Sequence, residues 1–238
     1  MLDVQDRIIV ALDLSEKDSI ALAEKLQGHA KWMKVGMTLF YAAGPSIVEK
    51  MHDLGYKVFL DLKLHDIPHQ VEGAAQAASM SGADVLSIHG CGGAQMIQAA
   101  RRGVEAAAQL RGSRTKLVAI TVLTSMDQDD LTSIGVLNPV VSQVETLEAF
   151  AINNGADGVV CSAREAKDVR RRQGDDILII TPGVRPLGSS TQDQSRVTTP
   201  SQAILDGASH IVVGRPITQA EDPVAAIDAI AKEIVEVL

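Results

Sequence analysis

Short apolar runs rich in Val and Ile recur along the chain, separated by segments with helical spacing, and this alternation constrains the fold more than any other feature. Strands are expected at 7–13, 31–36, 57–63, 84–89, 116–123, 157–161, 177–181 and 210–214. Helices are expected at 16–27, 45–54, 94–110, 143–154, 163–172, 200–206 and 223–237, with another starting near Pro68. In the last segment Val224, Ile227, Ile230, Ile234 and Val237 fall at intervals of three and four, the spacing of one buried stripe. Strict alternation of strand and helix implies right-handed crossovers and a parallel sheet. Gly82, Gly155 and Gly207 each stand between a helix and the next strand, where glycine adopts the positive φ that ends a helix. Eight such units in 238 residues suit a closed (β/α)8 TIM barrel, with a doubly wound open sheet as the alternative. No Gly/Ser/Pro linker divides the chain, so residues 1–238 are expected to form one barrel domain.

Composition narrows the function. Hydrophobic residues at 46% and charged residues at 22% exclude disorder as the overall state. Aromatics at 3% leave the core to Ala, Val, Ile and Leu. The net charge of -8 has the wrong sign for a general nucleic-acid surface, so any phosphate must be met by a local cluster of donors. Cys91 and Cys161 have neither a disulfide framework nor metal-ligand spacing, which suits a reducing cytoplasm. The first residues do not read as a signal peptide, and no apolar stretch reaches membrane-spanning length.

The functional face of such a barrel is built from strand C-termini and the loops after them. There the sequence places Asp13, Lys34, Asp61, Lys63, His89, Thr124 with Ser125, and Gly214 with Arg215. Charged groups at inner strand ends are costly to desolvate and must pair or meet a ligand, so their coincidence points to one shared polar site. Side chains alternate along a strand, which puts Asp61 and Lys63 on one face and Leu62 and Leu64 on the other. An ammonium among carboxylates stays charged and can later donate a proton; the simpler alternative is a structural ion pair, with Asp66 capping the helix near Pro68. At the last strand, Gly214-Arg215 offers backbone N–H groups and a forked cation where these barrels usually hold phosphate, unless it is a plain surface turn. Residues 182–198 show neither period; a loop of that length is often a lid, from which Arg185 and Gln194 can reach a phosphate, or else a mobile surface loop. Arg170-Arg171-Arg172 reads as a solvated helix end, His29, His52, His69 and His210 show no metal spacing, and Gly90-Cys91-Gly92-Gly93 reads as a plain connection.

Together these motifs resemble the orotidine 5'-monophosphate decarboxylase family of the bacterial type. The likeness runs from Arg7 through the final helix: Ala11-Leu12-Asp13, Lys34-Val35-Gly36, Asp61-Leu62-Lys63-Leu64-His65-Asp66-Ile67-Pro68, Leu123-Thr124-Ser125, Thr181-Pro182-Gly183-Val184-Arg185 and Gly214-Arg215-Pro216-Ile217. The resemblance implies a homodimer whose sites combine Asp61 and Lys63 of one subunit with Asp66 of the other. It also implies that Asp13 and Lys34 bind the ribose, that Thr124 and Ser125 lie at the pyrimidine, and that Arg185, Gln194, Gly214 and Arg215 hold the phosphate of the nucleotide substrate. No metal and no organic cofactor is expected. The family commonly carries Asn-Thr after Asp-Ile-Pro, and here His69-Gln70 stands in that place. Metal-dependent sugar-phosphate barrels share the Asp-x-Lys-x-x-Asp element but carry an acidic ligand on the second strand, where this chain has Lys34. A catalytically silent nucleotide-binding protein is the remaining alternative.

Overall fold

Parallel pairing runs from each strand to the next and closes on itself, because Ile8, Ile9 and Val10 of the first strand pair with Ile211, Val212 and Val213 of the last. That closure excludes the open sheet. The structure is a computed structural model and describes residues 4–186 and 198–238. Its strands are β1 (Ile8–Ala11), β2 (Trp32–Gly36), β3 (Lys57–Leu64), β4 (Val85–His89), β5 (Lys116–Ile120), β6 (Gly158–Val160), β7 (Leu178–Thr181) and β8 (His210–Val213). Around them lie helices α1 (Glu16–Lys25), α2 (Met37–Ala43), α3 (Ser46–Asp53), α4 (Pro68–Met80), α5 (Ala94–Arg111), α6 (Gln128–Ser133), α7 (Val140–Asn153), α8 (Ala163–Gln173), α9 (Pro200–Leu205), α10 (Arg215–Thr218) and α11 (Pro223–Val235). The expected strands all form but several are shorter. Arg7 ends a 3-10 turn, and Val122 leaves the β5 ladder to pack on α7 and α8.

Alternation along the strands separates two cores. Inward-facing Ile9, Ala11, Trp32, Phe59, Val85, Val118, Ile120, Val160, Ile180 and Val212 fill the barrel, a cluster mostly of aliphatic chains. Outward-facing residues such as Val10, Val35, Leu60 and Leu62 meet the helices, including the Ile227, Ile230 and Ile234 stripe of α11. Each large aliphatic side chain so buried contributes about 1.5–3 kcal/mol. Gly82, Gly155 and Gly207 have φ of +109°, +109° and +94°, so each helix-to-strand junction uses the conformation that glycine alone enters without strain. At Gly103 of α5 a side chain would run into the α4 backbone at Glu72 and Gln76; the small residue lets these two helices seat closely.

The triple arginine is not a solvated face. Arg170 donates to the carbonyls of Gly174, Ile177 and Gly207 and to Ser209 Oγ, tying α8 to the neighbouring turns. Arg172 grips the wholly buried carboxylate of Glu148 on α7 through Nε at 2.7 Å and Nη2 at 2.9 Å. Only Arg171 stays in solvent, paired with Asp168. A guanidinium carries several donors in a fixed fork, and unpaired carbonyls near helix ends attract it more strongly than the helix dipole alone.

The N-terminal end of the barrel is sealed by a polar cluster remote from the strand C-termini. His210 packs edge-on to Trp32 with ring centroids 5.3 Å apart, and Lys57 lies 5.2 Å from the Trp32 ring. Asp6 joins Lys57 and Lys31 at 3.3 and 3.4 Å. Burial pushes the His210 pKa down to about 4, so the ring is neutral at neutral pH and serves as packing. Polar groups at this end of such a barrel belong to stability.

Candidate active site

At the opposite end, the inward positions turn from apolar to charged. Ala11 pairs with Lys34, Lys34 with Phe59, and Gly36 with Asp61, so Lys34 stands beside Phe59 and Asp61 one layer above it. Lys63 Nζ donates to Asp61 Oδ2 at 2.6 Å; Lys34 Nζ donates to Asp13 Oδ1 at 2.9 Å and lies 4.0 Å from Asp61 Oδ2. A chain of alternating charge, Asp13, Lys34, Asp61, Lys63, thus crosses the barrel mouth from β1 to β3. Asp61 and Lys34 are buried, which strengthens their mutual attraction and makes any unpaired member costly. Gly36 is shaped by this chain, because a Cβ there would stand 3.0 Å from Lys34 Nζ and 3.4 Å from Asp13 Oδ1.

Lys63 is the only described residue other than glycine with positive φ, at 50°. For an L-residue this conformation costs about 1–2 kcal/mol and persists where the surroundings over-determine it. Here β3 departs from regular pairing with β4: Leu60 faces Leu86 and Leu64 faces Ile88, so Asp61, Leu62 and Lys63 stand opposite Ser87 alone. Ser87 Oγ accepts from the Lys63 backbone N–H at 2.9 Å and donates to Asp61 Oδ1 at 2.8 Å. Sequence reasoning missed Ser87, although a lone hydroxyl in the apolar β4 run was a visible signal. His89, at the end of β4, has its pKa lowered first by burial and then by the charges of His65 and Lys63, with Asp61 opposing. It is therefore neutral near pH 7 and adds no positive charge to the mouth.

Two joined cavities open beside this chain. One, of about 180 Å³, is a slot floored by Phe59, Ile120, Val160 and Val212, flanked by Leu123, Thr124 and Pro182, and closed on its polar side by Lys34, Asp61 and Lys63. The other, of about 350 Å³, is lined by Asp13, Arg185, Gly214, Arg215 and Gln219 and shares Lys34, Pro182 and Val212 with the first. The pair can take a flat ring in the slot, hydroxyl groups at Asp13 and Lys34, and an anion at the two arginines. Gln219 is an addition that the sequence did not suggest. Arg185 is buried and donates to the Val184 carbonyl at 2.9 Å. Thr124 reaches the slot, whereas Ser125 is exposed and lines neither cavity. Gln194 lies outside the described residues.

Asp66 is placed differently. It is exposed, makes no ion pair with Lys63 of its own chain, and accepts the Ile67 N–H at 2.6 Å. Ile67, not Asp66, holds the N-cap position of α4, so the capping reading does not hold. Asp66 and Gln70 instead line an outer groove of about 340 Å³ that also contains Lys63, Met37 and Tyr41. Among the described residues no group of three His, Cys, Asp or Glu side chains converges as a metal site, and no helix is long and apolar enough to cross a membrane.

Comparison with known proteins agrees with this geometry. The model of the Orotidine 5'-phosphate decarboxylase / HUMPS family matches residues 6–230. The curated orotidine 5'-phosphate decarboxylase of Chromohalobacter salexigens is 47% identical over 235 residues, covering 98% of both chains. That of Teredinibacter turnerae is 47% identical over 229 residues, covering 96% of this chain and 97% of its own. The crystal structure of orotidine 5'-phosphate decarboxylase from Lactobacillus acidophilus superposes with a TM-score of 0.86 at 43% identity, covering 96% of this chain and 99% of that one. With its closed barrel, its charged strand ends and nearly full-length relatives, the chain belongs to the orotidine 5'-phosphate decarboxylase / HUMPS family.

Proposed function

We propose that this protein converts orotidine 5'-monophosphate to uridine 5'-monophosphate and CO2, the carboxy-lyase step of pyrimidine nucleotide synthesis, without a metal or organic cofactor. The observation that carries this reading is the Lys63 ammonium, held at 2.6 Å by Asp61 on the polar wall of a slot sized for a ring and joined to a two-arginine cavity. When the C–C bond to the carboxylate breaks, the electron pair stays on a ring carbon that has no neighbouring carbonyl to absorb it. Lys63 offers a fixed cation beside that carbon and then transfers a proton from Nζ, leaving a neutral amine that recovers its proton from solvent. Asp61 orients Lys63, while Lys34 and Asp13 hold the ribose hydroxyls. Thr124 and Ser125 serve the pyrimidine, and Arg185, Arg215, the Gly214 backbone and Gln194 bind the phosphate. Phosphate binding far from the reacting carbon helps to hold the reactive geometry.

The functional unit in this reading is a homodimer. Among the described residues Asp66 has no basic partner in an ion pair, and it shares its groove with Gln70, beside the exposed apolar side chains of Met37, Tyr41 and Ile67. Such a patch suits a second copy of the chain. There Asp66 completes the partner's Lys63 site, and the Gln70 amide stands where relatives commonly carry a Thr hydroxyl.

Lys34 argues against a divalent ion, since its ammonium occupies the space beside Asp61 where the cation would bind. Orotidine 5'-monophosphate is expected to be converted to uridine 5'-monophosphate at an unchanged rate in excess chelator, followed by the change in ring absorbance. Activity that disappears with chelator and returns with Mg2+ would overturn the cofactor-free reading, and absence of conversion under any condition would overturn the decarboxylase reading.

A further inference from the structure

We infer that Ser87 is a positioning residue for the reaction, the single contact that sets both the Asp61 carboxylate and the Lys63 backbone. The inference rests on the decarboxylase reading for its kinetic consequence, while its structural content stands on the β3–β4 geometry. Three residues of β3, Asp61, Leu62 and Lys63, are spent against Ser87 alone on β4 before pairing resumes at Leu64 and Ile88. Such a bulge strands backbone groups that a regular ladder would pair, and bulges beside functional sites serve to re-aim side chains. The Lys63 N–H is one of these groups, and it is taken up by Ser87 Oγ at 2.9 Å.

A serine hydroxyl has one proton and can also accept. Because Oγ accepts from Lys63 N–H, its own proton goes to Asp61 Oδ1 at 2.8 Å. The roles are directional: the backbone bond fixes where the oxygen sits, and the proton fixes how the carboxylate is turned. With Oδ1 committed to Ser87, Oδ2 is left facing Lys63 Nζ at 2.6 Å and Lys34 Nζ at 4.0 Å. Ser87 is fully buried, so no water competes for either bond, and it lines neither cavity of the mouth. It acts through Asp61 and Lys63 and not by touching the ligand.

The φ of +50° at Lys63 gives the bond a further consequence. An L-residue is held in that region by its surroundings, and the hydroxyl is the partner of the very peptide that carries the strain. Without it, the carboxylate of Asp61 is free to turn and the Lys63 peptide to relax toward negative φ. Both changes move the ammonium while leaving Arg215, Arg185 and the Lys34–Asp13 hydrogen bond in place.

Ser87→Ala is therefore expected to lower kcat roughly 10- to 100-fold, with KM for orotidine 5'-monophosphate within about threefold of wild type. Ser87→Cys keeps the shape with a weaker donor, and its kcat is expected to fall at least about fivefold, between wild type and the Ala variant. A crystal structure of Ser87→Ala is expected to show Asp61 rotated or Lys63 out of the positive-φ region. A kcat within about twofold of wild type, or a loss confined to KM, would overturn the kinetic role. If the Ala variant does not fold, Ser87→Cys decides: reduced kcat supports the role and wild-type kcat overturns it. Should the wild-type protein itself fail to convert the nucleotide, the decarboxylase reading falls. The Ser87→Ala structure then still decides the positioning role, since Asp61 and Lys63 unmoved would overturn it.

Discussion

Lys63→Ala is expected to lower kcat by roughly 10,000-fold or more, because one side chain supplies both the proton and the nearest positive charge. General acid catalysis alone is worth about 100- to 10,000-fold, and a preorganised charge at the developing carbanion adds about 100-fold or more on top. Binding should survive. Lys34 and Asp13 remain joined at 2.9 Å, the arginine cavity is untouched, and Asp61 keeps Ser87 and Lys34 as partners. Uridine 5'-monophosphate measured by calorimetry is thus expected to bind the variant within about tenfold of wild type, a difference near 1.4 kcal/mol. A kcat within about tenfold of wild type would remove Lys63 from the chemistry, and loss of nucleotide binding together with turnover would recast it as a structural residue.

Arg215→Ala should fail in a different way. Its guanidinium lines the larger of the two cavities with Arg185 and the Gly214 backbone and does not line the slot that Lys63 walls. Charge-assisted contacts to a phosphate are about twice as strong as neutral ones, and the loss of a forked pair is expected to lower kcat/KM roughly 100- to 1000-fold, mainly through KM. Orotidine without its phosphate has nothing to offer Arg215, so its kcat/KM should be the same for variant and wild type. Equal losses on both substrates would show that Arg215 supports the fold of the mouth and not phosphate binding.

The barrel was legible because alternation of apolar runs and helical stripes leaves few architectures, and the charged strand ends pointed to one mouth. Register was not legible. A period of two states which residues share a face, as it did for Asp61 and Lys63, but the bulge that sets Lys63 at positive φ exists only between β3 and β4. Ser87 acquires its importance from that pairing, so a serine in an apolar run gave no measure of it. The α2 helix, Met37–Ala43, is about two turns long, too short for a buried stripe to repeat. Arg170 and Arg172 look like Arg171 along the chain; their partners at Gly207 and Glu148 are supplied by other elements. Asp66 illustrates the same limit across molecules, since its local context suggests a helix cap and its exposure beside an apolar groove suggests another chain.

In the proposed homodimer one site is built from Lys63 of one chain and Asp66 of another. The most direct measurement joins Lys63→Ala and Asp66→Ala chains in one dimer, by co-expression with two different tags and sequential purification. Each parent homodimer lacks a required group at both sites and is expected to be nearly inactive on orotidine 5'-monophosphate. The hybrid has one site with Lys63 from the second chain and Asp66 from the first, and one site lacking both, so about half of the wild-type activity per dimer is expected. Hybrid activity no higher than that of the parents would contradict the shared site.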